Sequence, residues 1–205
     1  MPPLEDSYRT IEEHLRAPEL KVKGSRFIAD IVPAHSKEDV ESALAAVRKE
    51  FFDASHHCFA YRLTPDGSML RAADDGEPNG TAGKPILLVL TSARLTEVLL
   101  IVTRFFGGTK LGTGGLARAY AEAAQQAVSM SKIRTVYLED TITLQLGYED
   151  HAHAERLVHT MGGHVLQSDY LTSVTMRVAI RRSLTETLIA RVTDELRGRV
   201  GIVRM

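Results

Sequence analysis

Two stretches of this chain gather side chains that could do chemistry. The first, RAADDGEPNGTAGKP, runs from Arg71 to Pro85 and sets Asp74, Asp75 and Glu77 beside Asn79, Thr81 and Lys84. Clustered carboxylates could hold a divalent cation, but the ligand spacing of a calcium loop is absent and no fourth protein ligand can be nominated. Aspartates in such a turn also cap backbone N–H groups, so a solvated turn and a polar recognition loop compete, and the recognition loop is the preferred reading. The second stretch, TRFFGGTKLGTGGLARAY, holds Gly107, Gly108, Gly112, Gly114 and Gly115 between an apolar run and an alanine-rich one. Glycine lets a partner approach the backbone, and a helix beginning after it would offer unpaired N–H groups and a positive dipole end. Arg104, Lys110 and Arg118 lie in or beside this loop and could bind an anion through charge-assisted hydrogen bonds. The competing reading is a tight strand-to-helix connection in which glycine only permits close packing; valine at Gly114, which tolerates positive φ poorly and would project into the approach path, is expected to disturb folding as well as binding.

Other catalytic patterns match poorly. Gly112, Gly114 and Ala117 satisfy G-x-G-x-x-A, yet a dinucleotide fingerprint also needs a short turn and an acidic residue ending a second parallel strand. A phosphate loop before Gly83-Lys84 would need glycine where Pro78 stands, and Pro85 follows. His57 and Cys58 could form a nucleophile and base, but neighbours on a strand point to opposite faces, and Cys58 is expected to be buried between Phe59 and Tyr61. His151, His153, His159 and His164 lack companion cysteines for a zinc site. Arg177, Arg181, Arg182, Arg191, Arg197 and Arg199 could form a basic face or merely solubilise two elements. No metal and no cofactor is therefore expected, and no catalytic residue is assigned.

These residues need a scaffold. Alternation predicts a strand from Ser25 to Ala34, ended by Pro33, then a helix capped by Ser36 with Asp39 in its first turn and Val40, Leu44, Val47 and Phe51 on one stripe. A strand follows from His57 to Leu63, with Asp66-Gly67 as a hairpin turn. A short apolar helix from about Lys84 to Thr91 precedes a central strand from Glu97 to Phe106, and a helix is expected from Leu116 to Met130. Beyond Lys132 the pattern restarts. A strand from Thr141 to Tyr148, a helix from about Ala152 to Met161 stopped at Gly162-Gly163, strands near Val165–Tyr170 and Ser173–Arg181, a helix from about Leu184 to Arg197 and a strand from Val200 to Val203 give the β-α-β-β-α-β order of a ferredoxin-like unit.

The fold class is thus α+β, in two domains of residues 1–133 and 134–205. The 205 residues carry a net charge of −1 and 44% hydrophobic residues, so bulk charge neither demands nor excludes nucleic acid. A single cysteine, no apolar run near the roughly 18 residues of a membrane span and no signal-peptide core predict a cytoplasmic protein without a membrane partner.

Taken together, ADDGEPNGTAGKPIL and VTRFFGGTKLGTGGLARAY resemble the IMPACT family, with KGSRFIA at Lys23–Ala29 and HHCFAYR at His56–Arg62 supporting the match and the overall layout similar to the family's bacterial branch. Departures are Asn79 where the family carries serine and Phe105 where it carries tyrosine, which removes a hydroxyl. The resemblance implies a first domain of the ribosomal-protein-S5 domain-2-like type and a ferredoxin-like second domain similar to the last domain of the translocating elongation factor. Eukaryotic members restrain a translation-initiation kinase through a further N-terminal domain not expected here. The function so implied is non-enzymatic and translation-associated: contact with RNA, the ribosome or a translation-related protein through Arg71, Asp74, Asp75, Glu77, Asn79, Thr81, Lys84, Arg104, Lys110, Arg118 and the five glycines. The alternative is an enzyme of phosphoryl transfer, binding a nucleotide or phosphometabolite at Gly107–Gly115.

Overall fold

The computed structural model describes residues 6–204, which divide into two compact units, Tyr8–Val136 and the segment from Tyr137 onward joined by the chain up to Ser7. In the first unit the elements are β1 (Ser7–Ile11), β2 (Leu15–Arg16), β3 (Leu20–Val22), β4 (Ser25–Pro33), α1 (Lys37–Glu50), β5 (His56–Leu63), β6 (Met69–Ala73), α2 (Gly83–Ser92), β7 (Val98–Phe105) and α3 (Gly112–Met130). The sheet order is β2-β4-β7-β5-β6, with β3 also beside β4 and every neighbouring pair antiparallel. β1 pairs with β8 (Ile133–Tyr137), so Arg134 lies inside a two-stranded ladder.

β7 explains the layering. Every residue from Val98 to Arg104 is buried, as an apolar run covered on both faces requires. Val98, Leu100 and Val102 face α2 and α3, while Leu99 and Ile101 face α1, whose stripe of Val40, Leu44 and Val47 packs against them. A capping box starts α1: Ser36 accepts from the Asp39 amide, and the Asp39 carboxylate accepts from the Ser36 amide. The same alternation corrects one expectation about β5. Cys58 is buried, but with Ala60 on the α2/α3 side, whereas Phe59 and Tyr61 lie under α1, because successive strand residues leave by opposite faces.

One topological consequence matters for the site. β5 runs antiparallel to both β6 and β7, so β6 and β7 run in the same direction. The connections leaving them, 74–82 into α2 and 106–111 into α3, therefore emerge at one end of the sheet. α3 starts at Gly112, four residues before the periodicity suggests, so Gly114 and Gly115 lie within its first turn, while Gly112 opens it at positive φ. Apolar spacing could not reveal this turn, since it contributes no buried side chain before Leu116.

The second unit comprises β9 (Glu139–Leu146), α4 (Tyr148–Thr160), β10 (His164–Tyr170), β11 (Val174–Arg181), α5 (Thr185–Glu195) and β12 (Gly201–Arg204), with antiparallel sheet order β10-β11-β9-β12. Its separate core contains Ile142, Leu144, Leu157, Met176, Ile180, Leu188 and Val192. α4 begins at Tyr148 rather than near Ala152, since Glu149 and Asp150 suit a first helical turn. Among the described residues, no helix is long and apolar enough to cross a membrane.

Candidate binding surface at the start of two helices

The first loop is folded around its own carboxylates. At the end of β6 the Asp74 side chain turns inward and accepts from the amides of Gly80 at 2.8 Å, Ala82 at 3.0 Å and Gly83 at 2.9 Å. Ala82 is the N-cap position of α2 and Gly83 its first residue, so Asp74 caps that helix from eight and nine residues upstream. Burial alone would raise its pKa, but the three backbone donors outweigh it and hold the carboxyl below its ordinary value. Asp75 accepts from the His57 amide at 2.8 Å and from Arg48 at 3.1 Å. Thr81 donates to the Pro78 carbonyl at 2.6 Å. Asn79 and Lys84 remain exposed.

Glu77 reaches deepest. With only 3% of its side chain accessible, it accepts from Arg104 Nη1 at 2.6 Å and from the Tyr120 hydroxyl at 2.8 Å, with His56 Nε2 3.9 Å away. Arg104 continues inward from Nη2 to Ser25 Oγ at 3.2 Å, and Ser25 Oγ also accepts from the Gly107 amide at 3.2 Å. The Arg104 Nε atom is buried without a partner. Cys58 Sγ lies 3.0 Å from the Asp74 carbonyl and 3.3 Å from the Tyr120 hydroxyl, and burial pushes its thiol pKa up to about 12. Burial likewise raises that of Tyr120. The side chains best suited to acid–base or nucleophilic work are thus joined in one internal network, which ties loop one, β4, β5, β7 and α3 together. His57 faces the other way and donates to the Phe51 carbonyl at 3.2 Å.

The structure therefore separates the residues singled out above. Asp74, Glu77, Thr81 and Arg104 hold the loops in place from below, with Asp75 engaged at the edge. Arg71 sits elsewhere: it is paired across β5–β6 with Tyr61 and shares the α1 side of the sheet, lining a groove with Lys37, Glu41 and Leu70. Ser25 and Tyr120 are fasteners to which the sequence motifs assigned no role, and His56, the first residue of HHC, joins them against the Asp75 carbonyl and Glu77. The signal for them lay in KGSRF, HHC and ARAY, where a polar residue sits within an otherwise apolar pattern.

Loop two is built differently. Gly107 has a packing reason: a Cβ there would sit 1.9 Å from the Gly24 carbonyl carbon and 2.3 Å from the Ser25 nitrogen. Gly114 has none, because a Cβ would meet only the Arg118 guanidinium, at 3.7 Å, and the residue is helical rather than at positive φ. The expectation that a side chain there disturbs folding is corrected accordingly. α3 begins at Leu111 and Gly112 with no side-chain cap and no acidic residue in its first turn. Lys110 and Arg118 are exposed beside this open helix start, and Gly108 and Gly112, at φ of 83° and 70°, face empty space.

In the second unit the histidines are dispersed, with His153 against Glu195 at 2.9 Å and His151 against the Tyr170 hydroxyl at 3.2 Å. Arg199 pairs with Asp150, Arg182 with Asp140 and Arg191 with Glu195, leaving Arg177 and Arg181 exposed on β11 and Arg197 exposed in the turn after α5.

Comparison with known proteins gives this geometry its setting. The family model described as Impact N-terminal domain matches residues 23–128, and one described as a domain of unknown function, DUF1949, matches residues 144–199. The chain is 35% identical over 185 residues to the IMPACT family member YigZ of Escherichia coli, covering 89% of this chain and 91% of that one. It is 33% identical over 94 residues to the Protein IMPACT homolog of Dictyostelium discoideum, covering 44% of this chain and 27% of that one. A solved structure titled "Crystal structure of an hypothetical protein" superposes with a TM-score of 0.69 at 33% identity, covering 98% of both chains.

Proposed function

Because this chain belongs to the IMPACT family, we propose that it is a non-enzymatic, translation-associated binding protein that receives anionic groups of RNA, free or on the ribosome, at loop two. The observation that carries the reading is the open start of α3. Its amides are uncapped, its dipole end is positive, Lys110 and Arg118 flank it, and Gly114 keeps it clear without serving any internal packing. The buried engagement of Cys58, Tyr120, Glu77 and Arg104 supports binding over catalysis. Lys84 and Asn79 of loop one emerge at the same end of the sheet and belong to the proposed surface. Asp74, Asp75, Glu77, Thr81 and Arg104 shape it from behind. The reading extends to a cytoplasmic location, to an S5 domain-2-like first domain ending near residue 133 and to a ferredoxin-like second domain. The β-α-β-β-α-β element order and the strand order β10-β11-β9-β12 support the last of these.

The test is the salt dependence of binding to single-stranded RNA and to ribosomal subunits. Lys110→Ala combined with Arg118→Ala should weaken association and flatten the slope of log affinity against log salt by roughly 0.7 per lost phosphate contact on a single strand. An unchanged affinity and slope would remove loop two from the interface. A protein of the translation apparatus bound in place of RNA would show no such slope with RNA yet the same loss on mutation. The alternative of phosphoryl transfer uses the same open amides for a nucleotide. It requires that ATP with magnesium raise the unfolding temperature, since a ligand at 100 times its dissociation constant adds roughly 2.7 kcal/mol.

A further inference from the structure

We propose that the groove between α2 and α3 is a second binding site, which takes an amphipathic helix of a protein partner, apolar along one stripe and acidic on its flanks. The groove encloses about 620 Å³, with Leu88 and Val89 on the α2 wall and Ala117, Ala121 and Val128 on the α3 wall. It adjoins the two loops at Pro85 and Arg118 and otherwise runs along α2 and α3 away from them. α2 is apolar all round from Pro85 to Leu90, yet the sheet covers only its inner side, and Leu88 is left 57% exposed. A surface helix whose outer face faces water is ordinarily polar there, so this face lacks a partner.

The walls determine what form the occupant takes. Both are helices whose interior backbone groups are hydrogen-bonded within themselves, so they offer no ladder to an extended peptide. A segment entering the groove must satisfy its own backbone, which a helix does. Small side chains at Ala117 and Ala121 let a third helix approach at the usual 8–10 Å between axes. The α3 wall from Ala117 to Ser129 is roughly 18 Å long at about 1.5 Å per residue, or some three turns of an occupant.

Charge sets the flanks. Lys84 and Arg118 are exposed at the loop end of the groove and Arg94 is exposed beyond the last turn of α2, and among the described residues none of the three has a salt-bridge partner. α2 carries no carboxylate, and Glu122 is the one acidic residue of α3. Acidic residues flanking the apolar stripe of the occupant would answer this rim. RNA is disfavoured here because no aromatic side chain lines the groove to stack on a base.

A library of 16-residue peptides displayed on phage, selected against the full chain, tests the proposal. The expected result is enrichment of sequences with apolar residues at i, i+3, i+4 and i+7 and Asp or Glu beside them. Their binding should fall at least tenfold with Leu88→Glu or with Ser92→Glu, two exposed positions where unchanged thermal melting verifies folding. It should be unaffected by Lys110→Ala, which separates this site from the loop-two reading. Four results would overturn the proposal: no enrichment, enrichment of basic or extended motifs, peptides indifferent to both substitutions, or a dimer in solution that Leu88→Glu dissociates. Protection of the groove by RNA in hydrogen exchange would overturn it as well.

Discussion

Loops one and two are alike in composition and opposite in construction. Each is glycine-rich, each leaves the same end of one sheet, and each enters a helix. Loop one brings three carboxylates and spends them on the protein itself, with Asp74 on the amides that begin α2 and Glu77 on Arg104 and Tyr120 beneath. Loop two brings no carboxylate and flanks the start of α3 with exposed cations. The same helix-terminus physics is thus satisfied internally in one case and left available in the other. The lesson is that glycine density marks both loops, whereas the sign of the neighbouring charges separates the scaffold from the surface.

The comparison breaks most visibly at Glu77. Glu77→Ala leaves the Arg104 guanidinium buried beside an empty place, so it should cost about 3–5 kcal/mol in urea unfolding. A loss below about 1 kcal/mol would mean that the buried network does not hold loop one. Gly107→Ala comes next. Its Cβ would collide with backbone atoms of the β3–β4 turn, which cannot swing aside as a side chain could, and about 1–3 kcal/mol should be lost.

Asp74→Asn sharpens the contrast through pH. The substitution removes a charge that three amides favour, and should cost about 1–2 kcal/mol at neutral pH. Because the native pKa of Asp74 is depressed, its stabilisation is complete above the unfolded value near 4 and disappears as pH falls through the lower native value. Unfolding curves of Asp74→Asn and the unmodified protein should therefore converge on acidification. Curves that stay parallel below pH 3 would show that the charge on Asp74 contributes nothing.

Much of the scaffold was legible beforehand. The apolar run of β7, the Ser36 cap and the stripe of α1 each follow from a local rule, and the restart beyond Lys132 follows from element order. β1, β2 and β3 went unread because they are short and lie where the pattern is polar, with pairing supplied by β8 and β4. The two loops were legible as polar, glycine-rich segments, but not the direction in which their side chains point. Nothing in DDGEPNG says that Asp74 and Glu77 point inward, since that depends on Arg104, Tyr120 and the α2 amides converging from far along the chain. Arg71 lies apart from the two loops for a similar reason: its face is set by strand pairing with Tyr61.

The smallest expected effect on stability discriminates best. At Gly114 an added methyl group meets only the mobile end of Arg118, and alanine is the better helix former by at most about 1 kcal/mol. Gly114→Ala should therefore leave stability unchanged or raise it slightly, in contrast to the loss at Gly107. Yet the methyl group stands at the open helix start, where it narrows the approach of an anionic group to the amides of α3, so binding to RNA should weaken by several-fold with little change in salt slope. Lys110→Ala should do the reverse, lowering the slope while leaving stability within about 0.5 kcal/mol. If Gly114→Ala instead destabilised the protein as much as Gly107→Ala, the glycines of loop two would form a single packing unit and the contrast with loop one would collapse. A neutral fold with undiminished binding would be the subtler failure, since it would keep the helix start open but deny that anything enters there.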